Sequence, residues 1–308
     1  MRHALLPLSA SLIITGCGSS LGDDLADVLP DDRIAINMPV ENTAAKTTGA
    51  EKQWSDLYLL TAEVTEDVNG LITVVLYTVS TIARELEPTT VDEDTQTATW
   101  GPWGGEGLDP TEGQLIVQKH DDDTFTWAIQ MWPKGDDAAA IDVVAGQVDA
   151  GATRDANTGR FAIDFTAIHE LDPTEEATGL FAVDYGIDAA GAHADVAFED
   201  FGGSINAVYF FDQSHQGGGH MDLAVQGDWD DAGSLEELLS IRSRWASDGT
   251  GRSDAYAQGG DLGEFVGERT ECWDSTFDMV YRTDNYSDDP IIGDESECAF
   301  DQAEFPNQ

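Results

Sequence analysis

The residues best placed for chemistry flank a run of glycines: Asp212, His215, His220 and Asp222 lie on either side of Gln216-Gly217-Gly218-Gly219. Imidazole and carboxylate are ligands for zinc or another divalent ion, and a hairpin at the glycines would bring the two strand ends together. A polar turn accounts for the same four residues. No orienting partner for either histidine can be picked out in the sequence, so no metal or other cofactor is implied. His120, His169 and His193 fall in or beside expected strands, where a surface or hydrogen-bonded role suffices. With 60 acidic residues, no carboxylate pair stands out for acid–base work. Asp155-Ala156-Asn157-Thr158-Gly159 lacks the spacing of a calcium loop and reads as a turn. Trp100-Gly101-Pro102-Trp103-Gly104-Gly105 reads as an aromatic turn. Buried, it would cap the end of a barrel; exposed, it would stack on a sugar or an apolar ligand. No catalytic arrangement emerges.

The cysteines carry clearer chemistry. Met1-Arg2-His3, an uncharged stretch from Ala4 to Thr15, and Gly16-Cys17 follow the order of a charged start, a short apolar core and a small-residue cleavage site. The apolar stretch falls short of the about 20 residues a membrane span needs. Ile14-Thr15-Gly16-Cys17 resembles the bacterial lipobox, which implies removal of residues 1–16 and acylation of Cys17, with palmitate among the chains. Such lipoproteins go to the outer membrane unless aspartate follows the cysteine, and here Gly18 follows it. The expected location is therefore the cell envelope, at the outer membrane. In that oxidising compartment Cys272 and Cys298 are expected to form a disulfide.

Composition narrows the partners. The chain has 14 basic residues against 60 acidic ones, for a net charge of −46. Nucleic acid is excluded, because a polyanion is held by clustered Lys and Arg. The acids are spread along the chain and suit solvation in salt.

The elements that must position these residues differ along the chain. Residues 17–53, without sustained periodicity, read as the lipidated N-terminus and a flexible tether to one domain over 54–302. Leu57, Leu60, Val64, Val68, Leu71, Val75, Val79, Ile82 and Leu86 recur with the helical period. Ser55 suits the N-cap, Pro88 bars continuation, and Asn69-Gly70 is a candidate break. Gly70 to Ala83 carries no charge, which predicts that this half is the more fully enclosed. From about 95 the period changes to two, with Phe125-x-Trp127-x-Ile129-x-Met131 and Phe181-x-Val183-x-Tyr185-x-Ile187 as the clearest runs. About ten short strands separated by turn residues predict an α+β, mainly β fold: a long curved antiparallel meander, half-barrel or closed barrel, with the amphipathic helix on its concave face. Charges at Asp184, Asp188, Asp195 and Glu199 oppose a lipid-facing barrel.

The C-terminal third carries Arg242-Ser243-Arg244-Trp245, Gly259-Gly260-Asp261-Leu262, Glu271-Cys272-Trp273-Asp274 and Cys298-Ala299-Phe300. It resembles envelope lipoproteins of myxobacterial type. The resemblance implies a lipobox, a helical segment and a β region, and implies no activity. Arg242 and Arg244 share a strand face and are expected to pair with carboxylates. Two functions suit this architecture: a binder or carrier of an apolar ligand, and a structural or adhesive surface protein without catalysis. In both, the lipid makes the membrane a partner.

Overall fold

The helical period seen in the sequence corresponds to one unbroken helix, α2 (Asp56–Glu85). This is a computed structural model, and it describes residues 21–29, 53–104, 110–153, 155–228 and 233–305. Residues 1–16, Cys17 and most of the expected tether lie outside the described residues. Ser55 caps α2 as expected, its Oγ accepting from the N–H of Tyr58 at 3.0 Å. Asn69-Gly70 does not interrupt the helix. Packing decides the matter, because a helix held by its buried face tolerates one glycine and a few β-branched residues.

The buried face is rotated from the expected stripe. Its centre runs through Tyr58, Thr61, Thr65, Val68, Ile72, Leu76, Val79 and Ala83, while Leu60, Val64, Leu71 and Ile82 lie on the flanks, half-buried. Two polar residues occupy this face because each finds a partner: Thr61 Oγ1 bonds Ser243 Oγ at 2.6 Å, and Thr65 Oγ1 accepts from the Tyr209 hydroxyl at 3.5 Å. Nor is the second half more enclosed, since Val74 is 64% and Tyr77 69% exposed. The missing charge marks a helix back without acids, not a covered one.

Fifteen strands follow among the described residues. They are β1 (Thr90–Asp92), β2 (Thr97–Gly104), β3 (Thr111–Lys119), β4 (Phe125–Pro133), β5 (Ile141–Val148), β6 (Asn157–Asp164), β7 (Leu180–Ile187) and β8 (Gly191–Phe201), then β9 (Ile205–Ser214), β10 (Gly219–Gly227), β11 (Glu237–Trp245), β12 (Gly251–Gly259), β13 (Gly267–Trp273), β14 (Met279–Asp284) and β15 (Ile292–Gly293). They pair in chain order as one antiparallel meander, with β1 and β15 as its edges. The sheet is thus an open meander, which decides between the open sheet and the closed barrel that the sequence left as alternatives.

Two readings of local sequence need correction. Trp100–Gly104 belongs to β2, with a bulge between Trp100 and Trp103, and Trp100 is buried with its Nε1 donating to Leu86 O at the end of α2. His169, expected in or beside a strand, lies in a helix: the strand before it stops at Asp164, whose Oδ1 accepts from Ala167 N and starts a short helix, α3 (Phe165–Leu171).

Part of the expected tether is structured. Helix α1 (Leu21–Val28) buries Leu25, Ala26 and Leu29 against α2 and the sheet. Arg84 of α2 donates to Ala26 O, and Asn157 of β6 donates to Val28 O. A short amphipathic turn within a polar stretch leaves little periodicity for a sequence reading to catch.

One sheet face wraps these helices. The start of α2 meets β11 to β13, its middle meets Tyr209 of β9, and its end meets Trp100 of β2. One apolar cluster joins both helices to the inner positions of the sheet. Three tryptophans of that face each lie over a glycine on the neighbouring strand: Trp127 over Gly146, Trp245 over Gly219 and Trp273 over Gly251. A Cβ on Gly251 would stand 2.1 Å from the Trp273 ring, so only glycine lets the ring lie down on its partner strand.

The opposite, outer face is partly covered by the C-terminal segment. Cys298 is joined to Cys272 of β13, with Cα atoms 5.4 Å apart, as expected from the sequence. Residues 298–305 then run over the outer side of β11 and β12 as a strap.

Candidate functional site

The four residues suggested for metal binding are divided by the hairpin they flank. Asp212 and His220 face each other across β9 and β10, but the His220 ring packs on Phe210, with centroids 5.2 Å apart. His215 turns away in the loop, its Nε2 bonding Asp188 O at 2.8 Å. Asp222 pairs with Arg242 at 3.3 Å. Among the described residues, no group of three or more His, Cys, Asp or Glu is placed to hold a metal ion. His120 bonds Thr126 Oγ1, and His169, in α3, bonds Glu175 O. Cys17, the lipidation candidate, lies outside the described residues.

Of the two arginines sharing a face on β11, Arg242 meets the expectation of a carboxylate partner. Arg244 Nη1 is instead buried without a hydrogen-bond partner. Its register neighbours are His220 and the buried Arg252, which leaves no carboxylate directly beside it.

A polar junction, which sequence reading missed, fixes the two sides of the sheet. On the helix side, the buried carboxylate of Glu271 accepts from Ser55 Oγ, from the backbone N–H of Leu57 and from Arg269. On the outer side, the buried Arg252 pairs with the buried Asp254 and with Glu295, and donates to Phe300 O. Asp254 also accepts from Thr270 Oγ1 and from the N–H of Ala303. The strap is therefore held chiefly through its backbone, by side chains of β11 and β12.

Beside the strap the outer face is open. Strand alternation brings Ala182, Ala197, Val208, Ala224 and Ser240 into one row across β7 to β11. Small side chains in this row make the floor of a groove of about 510 Å³, walled by Phe210, Leu238, Tyr256 and Phe305. Val208 is 59% and Leu238 38% exposed. Phe305 stacks on Tyr256 and lies against the Arg242 guanidinium, so the strap itself forms one end wall.

The neighbouring row supplies charge. Asp184 and Asp195 face each other directly, and both are exposed. Arg160 sits opposite Asp184 on the other side, yet its Nη2 donates to Gln147 Oε1. Asp222 Oδ2 meets Arg242, while its Oδ1 is shut off from water with no donor. Such a surface can hold a ligand by apolar contact and by donation to carboxylates; it offers no nucleophile beside a base.

Compared with known proteins, the chain matches no family model, no curated protein and no solved structure. The function must be argued from the geometry.

Proposed function

We propose that the chain is a lipid-anchored structural or adhesive protein of the bacterial cell envelope, which works by presenting a sheet surface rather than by catalysis or ligand transport. The observation that carries this reading is the occupant of the concave face. A carrier needs an unfilled apolar interior, whereas here Ile72, Leu76, Val79 and Ala83 of α2 are buried against the sheet where an apolar ligand would lie. The lipobox-like Ile14-Thr15-Gly16-Cys17 supplies the anchor, and the resemblance to envelope lipoproteins of myxobacterial type supports the same location.

Two measurements test the proposal. Radiolabelled palmitate is expected in the wild-type protein and not in Cys17→Ser; label in the variant overturns the anchor. A native mass spectrum of the purified protein should show no bound lipid beyond the covalent chains. A stoichiometric co-purifying lipid overturns the surface reading in favour of a carrier.

A further inference from the structure

We infer that the open outer-face groove between β7 and β12 is a docking site for an extended, cationic segment of a protein partner, one in which basic and apolar residues alternate. The inference rests on the surface reading above and names the partner of that surface.

The shape comes first. The groove runs across the strands, in the direction of the sheet hydrogen bonds. Five interstrand spacings give it a length of about 24 Å, enough for about seven extended residues. Its floor is apolar and shallow because alanines lie in register across three of its strands. An extended chain presents side chains to both sides, so one set can lie on Val208 and Leu238 while the other reaches the rim.

Charge selects the occupant. Asp184 and Asp195 are directly opposed like charges, an arrangement that destabilises a sheet unless a cation joins them. Neither carboxylate makes an ion pair or hydrogen bond among the described residues, and Arg160, opposite Asp184 in register, donates to Gln147 instead. A Lys or Arg beside the Asp184–Asp195 pair would supply the missing cation. The opposite rim adds Glu199 and no base in the strand register.

The strap gives the mode of binding. Residues 298–305 are an extended segment already seated on the adjoining half of this face, held by Arg252 on Phe300 O, Arg242 on Glu304 O and Tyr256 on the Phe305 ring. Phe305 of this segment lines one end of the groove. A partner segment would continue along the same surface.

The test must separate a site from the general attraction of a polyanion. A fluorescein-labelled ten-residue peptide of alternating lysine and valine is titrated into the full-length protein in 150 mM salt, followed by anisotropy. Binding should weaken at least tenfold in the Asp184→Asn/Asp195→Asn variant. It should weaken as much in Ala197→Phe, which fills the floor without changing charge. The Glu63→Gln/Glu66→Gln variant removes the same charge from the exposed back of α2 and should change affinity less than twofold. Circular dichroism melts establish that each variant is folded, and Ala224→Leu replaces Ala197→Phe if the latter is not. Equal losses in all variants, no binding at all, or dimerisation of the protein through this face overturns the inference. Lipid label at Cys17 is scored separately, so a missing anchor and an unused groove are distinguishable results.

Discussion

Glu271→Gln isolates the joint between the long helix and the sheet. Glu271 is completely buried and receives Ser55 Oγ at 2.6 Å, Leu57 N at 2.9 Å and Arg269 Nε at 2.7 Å. Ser55 and Leu57 belong to the first turn of α2, so the carboxylate also sits where the helix presents unpaired N–H groups and the positive end of its dipole. Each hydrogen bond to a charged group is worth about 1.5–3 kcal/mol, but bonds sharing one acceptor do not add. Removing one member of a buried ion pair costs about 3–5 kcal/mol. Glutamine keeps the shape and one acceptor while turning an NH2 toward existing donors, so the expected loss is about 3 kcal/mol, rising to about 5 kcal/mol for Glu271→Ala. Urea unfolding followed by tryptophan fluorescence reads this directly, because Trp273 packs on Tyr58 at the same joint. The midpoint should fall by about 1 M or more. Glu268→Gln, exposed on the same strand, should stay within about 0.5 kcal/mol of wild type. A Glu271→Gln loss below about 1 kcal/mol would refute the view that this carboxylate seats the helix.

Three further outcomes follow from packing, covalent linkage and charge. Gly251→Ala should lower stability by about 1–3 kcal/mol, because its Cβ would meet the Trp273 ring; Gly70→Ala, with open space around it, should raise stability by about 0.5–1 kcal/mol, and calorimetry showing the same sign for both removes the ring-over-glycine argument. Cys298→Ser should cost about 3 kcal/mol, since the bridge closes a loop with a sequence separation of 26; an unchanged melting temperature under oxidising conditions contradicts it. Asp188 is held below the usual carboxylate range by the backbone N–H groups of Ala190 and Gly191. A folded value below the unfolded one adds stability that is complete above about pH 4 and lost as pH falls through the folded value. The melting-temperature gap between wild type and Asp188→Ala should therefore be open at pH 5 and close at lower pH. A gap that persists in acid assigns the effect to something other than the carboxylate.

How much of this was legible in the sequence depended on whether the signal was local. Period two in Phe125–Met131 and Phe181–Ile187, the Ser55 cap and the lone cysteine pair are local signals, and each led to the right element. The face of α2 was misjudged by a fraction of a turn because Thr61 and Thr65 look solvent-facing until Ser243 and Tyr209 supply their partners. Strands β1, β2, β14 and β15 were missed. Of these, β1 and β15 have only three and two residues, too few to show a period. One readable signal went unused: Asp-x-Thr or Asp-x-Ser recurs at Asp122, Asp172, Asp248, Asp274 and Asp294, each accepting from the backbone N–H two residues on. Some of the acids that seemed uninformative are turn formers. The outer groove was beyond reach, because its row of small residues exists only once five strands are placed in register.

The same register shows where the rare cations go. Arg84 ties α2 to α1, Arg269 ties β13 to Asp56 at the start of α2, Lys119 ties β3 to Asp24 of α1, and Arg252 and Arg242 hold the strap. Each joins pieces of chain far apart in sequence, where a misplaced segment would leave a charge uncompensated. With 14 bases against 60 acids, cations placed at such joints are withdrawn from the open surface. Asp184 and Asp195 then face each other across two central strands, with no base engaged on either carboxylate among the described residues. On the docking proposal above, a basic segment in the outer groove would neutralise this pair, as salt does in the free protein.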